Sequence, residues 1–349
     1  MRFELEKLVR DNIRRLTPYS SARHEFKGEA SVFLDANENS FGSPLPEQFN
    51  RYPDPLQWQL KSELSKIKEV SAENIFIGNG SDEVIDLAYR IFCSPGIDNV
   101  IICPPTYGMY EVSANINDVE IRKVNLTEEF QLDVNGILAA VDENTKLLFI
   151  CSPNNPTGNN MKPKDIEELL KNFTGIVIID EAYINFSAGE TFIKQLSAYE
   201  NLIVMQTLSK AWGLASLRLG LAFAAVEIIE LFNKVKPPYN INKASQQLAI
   251  EALQNSQQVN DWVKQALQQR KFLAEELSKY PFVKKIYDSD ANFLLIKVDD
   301  ANRLYSYLSS NKIIVRNRSK EALCDNCLRI TIGTPDEDQL LLSALKNYK

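Results

Sequence analysis

Lys210 follows Ser209 at the end of the run VMQTLSK, and Arg218 comes eight residues later in KAWGLASLRLG. A lysine at the junction of an apolar run and a turn can be desolvated, and a guanidinium beside it disfavours its charged form. Both effects leave a neutral, nucleophilic amine. Most lysines are solvated surface residues, so Lys210 acquires meaning only from its company. Asp180 closes the run IVIID in IVIIDEAYINF, with Tyr183 three residues on. Four apolar residues before a carboxylate predict burial, and buried carboxylates are rare without a partner. A protonated ring nitrogen would be a suitable one.

Three further apolar runs end in polar groups. In IFIGNGSDEVIDL, Gly78 and Gly80 lead into Ser81 and Asp82 at a predicted helix start. Small residues let a backbone approach a phosphate, and the free amides and dipole of a helix N-terminus favour an anion there. A dinucleotide fingerprint would need a glycine at Glu83, so a nicotinamide-nucleotide site is not supported. A capped helix after a tight turn is the plain alternative. In IICPPTYGMY, Tyr107 could lie over a flat aromatic ligand or sit in the core like any tyrosine. In LLFICSPNNPTG, Asn154, Asn155, Pro156 and Gly158 make a turn whose amides could donate to a phenolate oxygen, or simply a loop. Strand ends of one polarity share one edge of a parallel sheet, where ligands collect. Five such endings therefore point to one apparatus. Pyridoxal phosphate needs an amine for its aldehyde, an acid at its ring nitrogen, donors to its phenolate oxygen, a stacking ring and a phosphate cup. Lys210, Asp180, Asn155 with Tyr183, Tyr107, and Ser81–Asp82 with Ser209 and Arg218 supply those parts.

Other chemistries are poorly served. His24 is the only histidine, in ARHEF and without a nucleophile motif beside it, which argues against a histidine triad or a histidine-ligated metal. Cys324 and Cys327 form a lone C-x-x-C without the further ligands that zinc requires, so no metal is expected. Five cysteines, mostly scattered or within apolar runs, read as reduced thiols of a cytoplasmic protein. A net charge of -7 and a pI near 5.1 argue against nucleic-acid binding. No apolar span of membrane length occurs, and the charged opening MRFELEKLVRDNIRRL is neither a secretory signal nor a membrane segment.

The elements that must position these groups follow from the pattern. With 349 residues, 44% of them hydrophobic, the chain suits two domains. Residues 1–40 read as an arm laid over other structure. From residue 75, the short runs Ile75–Ile77, Val100–Cys103, Leu147–Cys151, Ile176–Ile179, Leu202–Met205 and Leu219–Ala224 alternate with amphipathic stretches. That rhythm predicts an α/β domain over 41–240, with a mostly parallel sheet covered by helices on both faces. VKPPYNINK breaks it. A helix follows with Val259, Trp262, Val263, Ala266 and Leu267 on one face. The strand-like segments VKKIYDS, NFLLIKV, KIIVRN and LRITIG, with helices near 301–311 and 335–347, predict a smaller α+β domain over 241–349.

In chain order, LTPYSSAR, LDANEN, RYPDP, GNGSDE, CPPTYGMY, CSPNNPTG, DEAYINF, TLSKAWGLASLRLG and CLRITIGT resemble the histidinol-phosphate aminotransferases. These are fold-type-I pyridoxal-phosphate enzymes of the aspartate aminotransferase superfamily. The resemblance implies that Lys210 carries the cofactor, Asp180 pairs with its ring nitrogen, Asn155 and Tyr183 bind its phenolate oxygen, and Tyr107 stacks on it. It gives Gly80, Ser81, Asp82, Ser209 and Arg218 to the phosphate. Tyr52 would reach the cofactor of a neighbouring subunit, which implies a homodimer with shared sites. Arg329, Arg316 and Tyr19 would bind the anionic end of the substrate. The activity implied is ping-pong transamination between histidinol phosphate and 2-oxoglutarate or glutamate, a step of histidine biosynthesis. An L-threonine O-3-phosphate decarboxylase, a broad aromatic aminotransferase and a non-catalytic cofactor-binding regulator are the alternatives. The last usually appends a DNA-binding domain, for which this acidic chain leaves no room.

Overall fold

A computed structural model of the chain describes residues 3–19 and 31–348. His24 and the second half of LTPYSSAR lie outside the described residues. The first sheet contains β1 (Ile75–Asn79), β2 (Asn99–Ile102), β3 (Glu120–Lys123), β4 (Thr145–Cys151), β5 (Ile176–Asp180), β6 (Leu202–Thr207) and β7 (Leu219–Ala224), in the spatial order β1-β7-β6-β5-β4-β2-β3. Only β7 runs against its neighbours; the other pairings are parallel.

Continuous apolar runs are required because both faces of this sheet are covered. Along β4, Leu148 and Ile150 enter one core while Leu147, Phe149 and Cys151 enter the other. All six predicted runs form strands. β3 escaped prediction because its sequence, EIRK, is polar; as an edge strand it is half-exposed and has one neighbour. The arm packs Val9 and Ile13 into the second core, and the Arg10 amide donates to the Ile91 carbonyl at 3.0 Å.

The second sheet is antiparallel, in the order β10 (Arg316–Asn317), β11 (Cys327–Thr331), β9 (Phe293–Val298), β8 (Val283–Ile286). KIIVRN contributes only two residues to a ladder. Lys312 takes a left-handed conformation (φ 63°) and the Ile313 amide turns back to Leu308, so the start of that run closes the helix Ala301–Ser310 instead. The helix Ser256–Leu277 spans two cores: Val259 belongs to the first core of the large sheet, Leu273 and Leu277 to a third core that covers the second sheet. Trp262, expected on the same buried face as Val259, is half-exposed. Among the described residues, no helix is long and apolar enough to cross a membrane.

The antiparallel β1–β7 pair brings two glycines together. A Cβ on Gly220 would lie 2.3 Å from the Gly80 carbonyl carbon and 2.3 Å from the Ser81 nitrogen. Those backbone atoms cannot rotate away. Gly220→Ala should therefore cost about 1–3 kcal/mol of unfolding free energy, in the manner of an overpacked core, as read from denaturant titration.

Candidate active site

β4, β5 and β6 are in register at their carboxyl ends: Cys151 is opposite Asp180, and Asp180 opposite Met205. The loops leaving these strands carry Asn155, Tyr183 and Lys210 to one edge. The β1 turn brings Ser81 and Asp82 to the same edge, and the loop after β2 brings Tyr107. Together with Ser209, Arg218, Arg316, Arg318 and Arg329 these residues line a cavity of about 290 Å³. Its lining thus draws on both sheets.

Asp180 is almost fully buried. The Tyr110 hydroxyl donates to its Oδ2 at 2.6 Å and the Ala182 amide to its Oδ1 at 3.0 Å. Burial raises its pKa; Tyr110, the Ala182 amide and the Lys210 charge oppose that shift. The carboxyl group is thus held by two donors yet short of a full cationic partner.

Lys210 is exposed, with its side chain opening to the cavity. Its pKa is lowered, first by desolvation, then by Arg329, with Arg218 a smaller contributor and Asp180 opposing. Arg218 was expected to be the important neighbour; Arg329, from the second sheet, outweighs it. The Lys210 ammonium sits 5.6 Å from the centroid of the Tyr183 ring. Tyr183 is buried and meets Phe293 edge-on at 5.1 Å.

At the β1 turn, Gly80 has φ +80° and its amide donates to the Arg218 carbonyl at 2.7 Å. Arg218 itself is left-handed (φ 55°), a conformation uncommon for a side-chain-bearing residue. This places its guanidinium where a Cβ on Gly80 would lie 2.5 Å from Nη2. Arg218 also pairs with Asp82 at 3.1 Å, and the other Asp82 oxygen accepts from Tyr107 at 3.2 Å. Asp82 therefore has backbone amide rather than side chain to offer an anion. Asn154 is fully buried and ties the two loops together through bonds to the Pro105 carbonyl and the Thr157 hydroxyl, both at 2.8 Å.

Arg329 reaches from β11 to donate to the Asn155 oxygen, leaving the amide nitrogen of Asn155 as its remaining donor. Arg316 and Arg329 face each other across the β10–β11 ladder. Three expected residues do not join the cavity lining: Gly80, which forms the turn just before Ser81, Tyr19 and Tyr52. Tyr19 is mostly exposed on the arm. Tyr52 is half-exposed and stacks on Tyr239, with centroids 4.4 Å apart and planes 12° apart.

The sequence over residues 35–345 matches the family model described as aminotransferase class I and II. The chain belongs to that family. It is 55% identical over 348 residues, the full length of both chains, to a histidinol-phosphate aminotransferase of Cytophaga hutchinsonii. A crystal structure of the histidinol-phosphate aminotransferase of Clostridium acetobutylicum superposes with a TM-score of 0.79 at 25% identity, covering 85% of this chain and 90% of that one. The Sinorhizobium meliloti enzyme, solved with pyridoxal-5'-phosphate, shares the fold with a TM-score of 0.79 at 23% identity, over 89% and 88% of the two chains. The residues of this aminotransferase fit that cofactor. A buried acid stands where a cationic ring nitrogen would satisfy it. An amine opens to the same cavity, and a glycine beside a guanidinium at a helix N-terminus leaves room for a phosphate.

Two residues of this aminotransferase's site were not singled out from the sequence. Tyr110 lies within the quoted CPPTYGMY, three residues after Tyr107, and that spacing was the available signal. It is fully buried, stacks on Phe149 at 4.7 Å and meets Tyr107 edge-on at 5.6 Å. Arg318, two residues after Arg316, was passed over in a charged stretch. Among the described residues, no cluster of three or more His, Cys, Asp or Glu is arranged to hold a metal ion.

The Tyr110 hydrogen bond is worth more to a charged carboxylate than to a neutral acid. Because burial raises Asp180 above the ordinary carboxylate range, its ionisation lowers stability as pH rises from the unfolded value through the folded one. Removing the donor raises the folded value further. In cofactor-free protein, Tyr110→Phe should lose about 1–3 kcal/mol more unfolding free energy at mildly alkaline than at mildly acidic pH. Urea titration at the two pH values checks this.

Proposed function

We propose that this chain is an L-histidinol-phosphate:2-oxoglutarate aminotransferase that works with pyridoxal phosphate. The observation that carries the reading is the full-length 55% identity to a curated histidinol-phosphate aminotransferase. The guanidinium-rich end of the cavity suits a phosphorylated substrate.

Bound pyridoxal phosphate supplies a carbonyl that captures amines and a ring that withdraws electrons from the substrate's Cα–H bond. Lys210 Nζ would hold the cofactor's carbonyl carbon and, when free, would be the group that moves a proton to and from the substrate. Its depressed pKa suits a base at neutral pH. Asp180 holds negative charge against the ring nitrogen, and Tyr110 keeps that carboxylate in place. Asn155 Nδ2 and the Tyr183 hydroxyl donate to the phenolate oxygen, while Tyr107 covers the ring face. Gly80, Ser81, the Asp82 amide, Ser209 and Arg218 hold the phosphate. Arg329 receives the substrate's anionic end, joined by Arg316. Free, buried cysteines agree with a cytoplasmic setting.

We also infer a homodimer with shared sites. Tyr52 is outside the lining of its own chain's cavity and instead lines a separate open cavity with Phe49, which is itself exposed. Exposed aromatic surface of this kind suits burial against a second copy.

A half-reaction screen tests the activity. Purified holoenzyme is mixed separately with histidinol phosphate, glutamate, phenylalanine and threonine phosphate, and the visible cofactor band and the matching ketone are followed. Histidinol phosphate and glutamate should both discharge the band. Failure with histidinol phosphate, or carbon dioxide release from threonine phosphate, defeats the reading. Lys210→Ala should retain cofactor non-covalently, lack the visible band of the lysine-bound form and lose nearly all turnover; normal activity without added amine would overturn the role of Lys210. For the dimer, Tyr52→Phe and Lys210→Ala proteins, each impaired alone, should regain activity when their subunits exchange, since a mixed dimer contains one site with both native residues. No recovery despite exchange verified by mass spectrometry counts against shared sites.

A further inference from the structure

Arg318 has no place in the reading above, yet its side chain lines the same cavity as Lys210, Asn155 and Arg329. Its backbone is fixed: the amide donates to the Cys327 carbonyl at 2.9 Å, continuing the β10–β11 ladder by one residue. Side chains two apart on an extended strand project to the same face. Arg318 thus falls on the side of Arg316, whose cross-strand partner is Arg329. Three guanidinium groups therefore share one face of a two-stranded ribbon.

Their charge is poorly balanced. The cavity's two carboxylates are Asp82, already paired with Arg218, and Asp180, at the far end with Tyr110. Among the described residues Arg318 has one ionic partner, Glu321, whose Oε1 lies 3.5 Å from Nη1, at the limit of a hydrogen bond. The Nε atoms of both Arg318 and Arg329 are buried without an acceptor among the described residues. An unsatisfied buried donor costs roughly 1–3 kcal/mol, more when charged. The three arginines that line the cavity, with so little carboxylate beside them, call for a ligand with several acceptor oxygens. A carboxylate is satisfied by one guanidinium fork, whereas a phosphate dianion has three free oxygens and a second charge to share.

We propose that Arg318 completes a three-guanidinium cradle with Arg316 and Arg329, and that it is a specificity residue favouring the phosphorylated substrate over glutamate. The inference rests on the histidinol-phosphate reading and adds to it. Arg329 serves both substrates, because each needs one guanidinium fork. Arg318 serves the phosphate, whose remaining oxygens and second charge reach it.

The test is Arg318→Gln, which keeps a polar chain but removes the charge and the fork. kcat/KM is measured for each half-reaction, with inorganic phosphate as an inhibitor of the glutamate half-reaction. The expected result is a loss of about 10- to 100-fold for histidinol phosphate, the scale of one charged hydrogen bond. Glutamate turnover and the visible cofactor band should be little changed, and phosphate inhibition should weaken. Glu321→Gln is the control for a merely structural ion pair and should leave selectivity intact. Equal losses for both substrates, no loss, or the same selectivity change in Glu321→Gln overturns the inference. If wild-type enzyme discharges with glutamate but never with histidinol phosphate, the underlying reading fails instead. If wild type accepts both and Arg318→Gln matches it, the role of Arg318 alone falls.

Discussion

Asp180 is a carboxyl group withdrawn from water at the end of a central strand, and much of the site is organised around keeping it there. Burial by itself favours the neutral acid. Against this the fold sets a tyrosine hydroxyl, a backbone amide and an ammonium group nearby, none of which fully repays the desolvation. The Tyr110 ring that brings the hydroxyl is stacked on Phe149, a residue of the neighbouring strand β4. The donor is therefore as rigid as the sheet. Tyr107 rests edge-on against Tyr110 and is tied by its own hydroxyl to Asp82. A single chain of contacts thus runs from the acid, through two aromatic rings, to the helix N-terminus at Ser81 and Asp82.

The opposite end of the cavity has the reverse imbalance. Arg316, Arg318 and Arg329 approach one another on a short ribbon of the second sheet. Arg329 is itself desolvated, with Arg318 and Arg316 pushing its proton affinity down further. Such a concentration of positive charge favours an anion in the cavity. Arg329 alone of the three also depresses the pKa of Lys210, behind desolvation. Arg329 links these roles through its bond to Asn155, which couples the second sheet to the loop after β4. A substrate lacking the distal anion would leave that cluster unneutralised.

Much of this was legible along the chain, because parallel strands announce themselves as short apolar runs and their ligands stand at the ends of those runs. Lys210, Asp180, Asn155, Tyr183 and Tyr107 were all found in this way. β3 was invisible because an edge strand does not need an apolar sequence, and KIIVRN overstated its strand because the close of a helix took half of it. Arg318 was hidden by composition: in RNRSKE it resembles the solvated charge that most such stretches are. Tyr110 was quoted within a motif without a role, since nothing along the chain says which of two nearby tyrosines faces the acid.

The sequence by itself determined the fold class, the family, and the set of groups offered at the strand ends, because these depend on local periodicity and on residue types at short spacing. The tertiary structure alone decided which of those groups meet. Arg329 rather than Arg218 governs the charge felt by Lys210, 119 residues away along the chain. The carboxylate of Asp82 is occupied by Arg218, and Tyr52 turns away from its own chain's cavity. Such facts depend on distance in space, since Coulomb and hydrogen-bond energies take no account of separation along the chain.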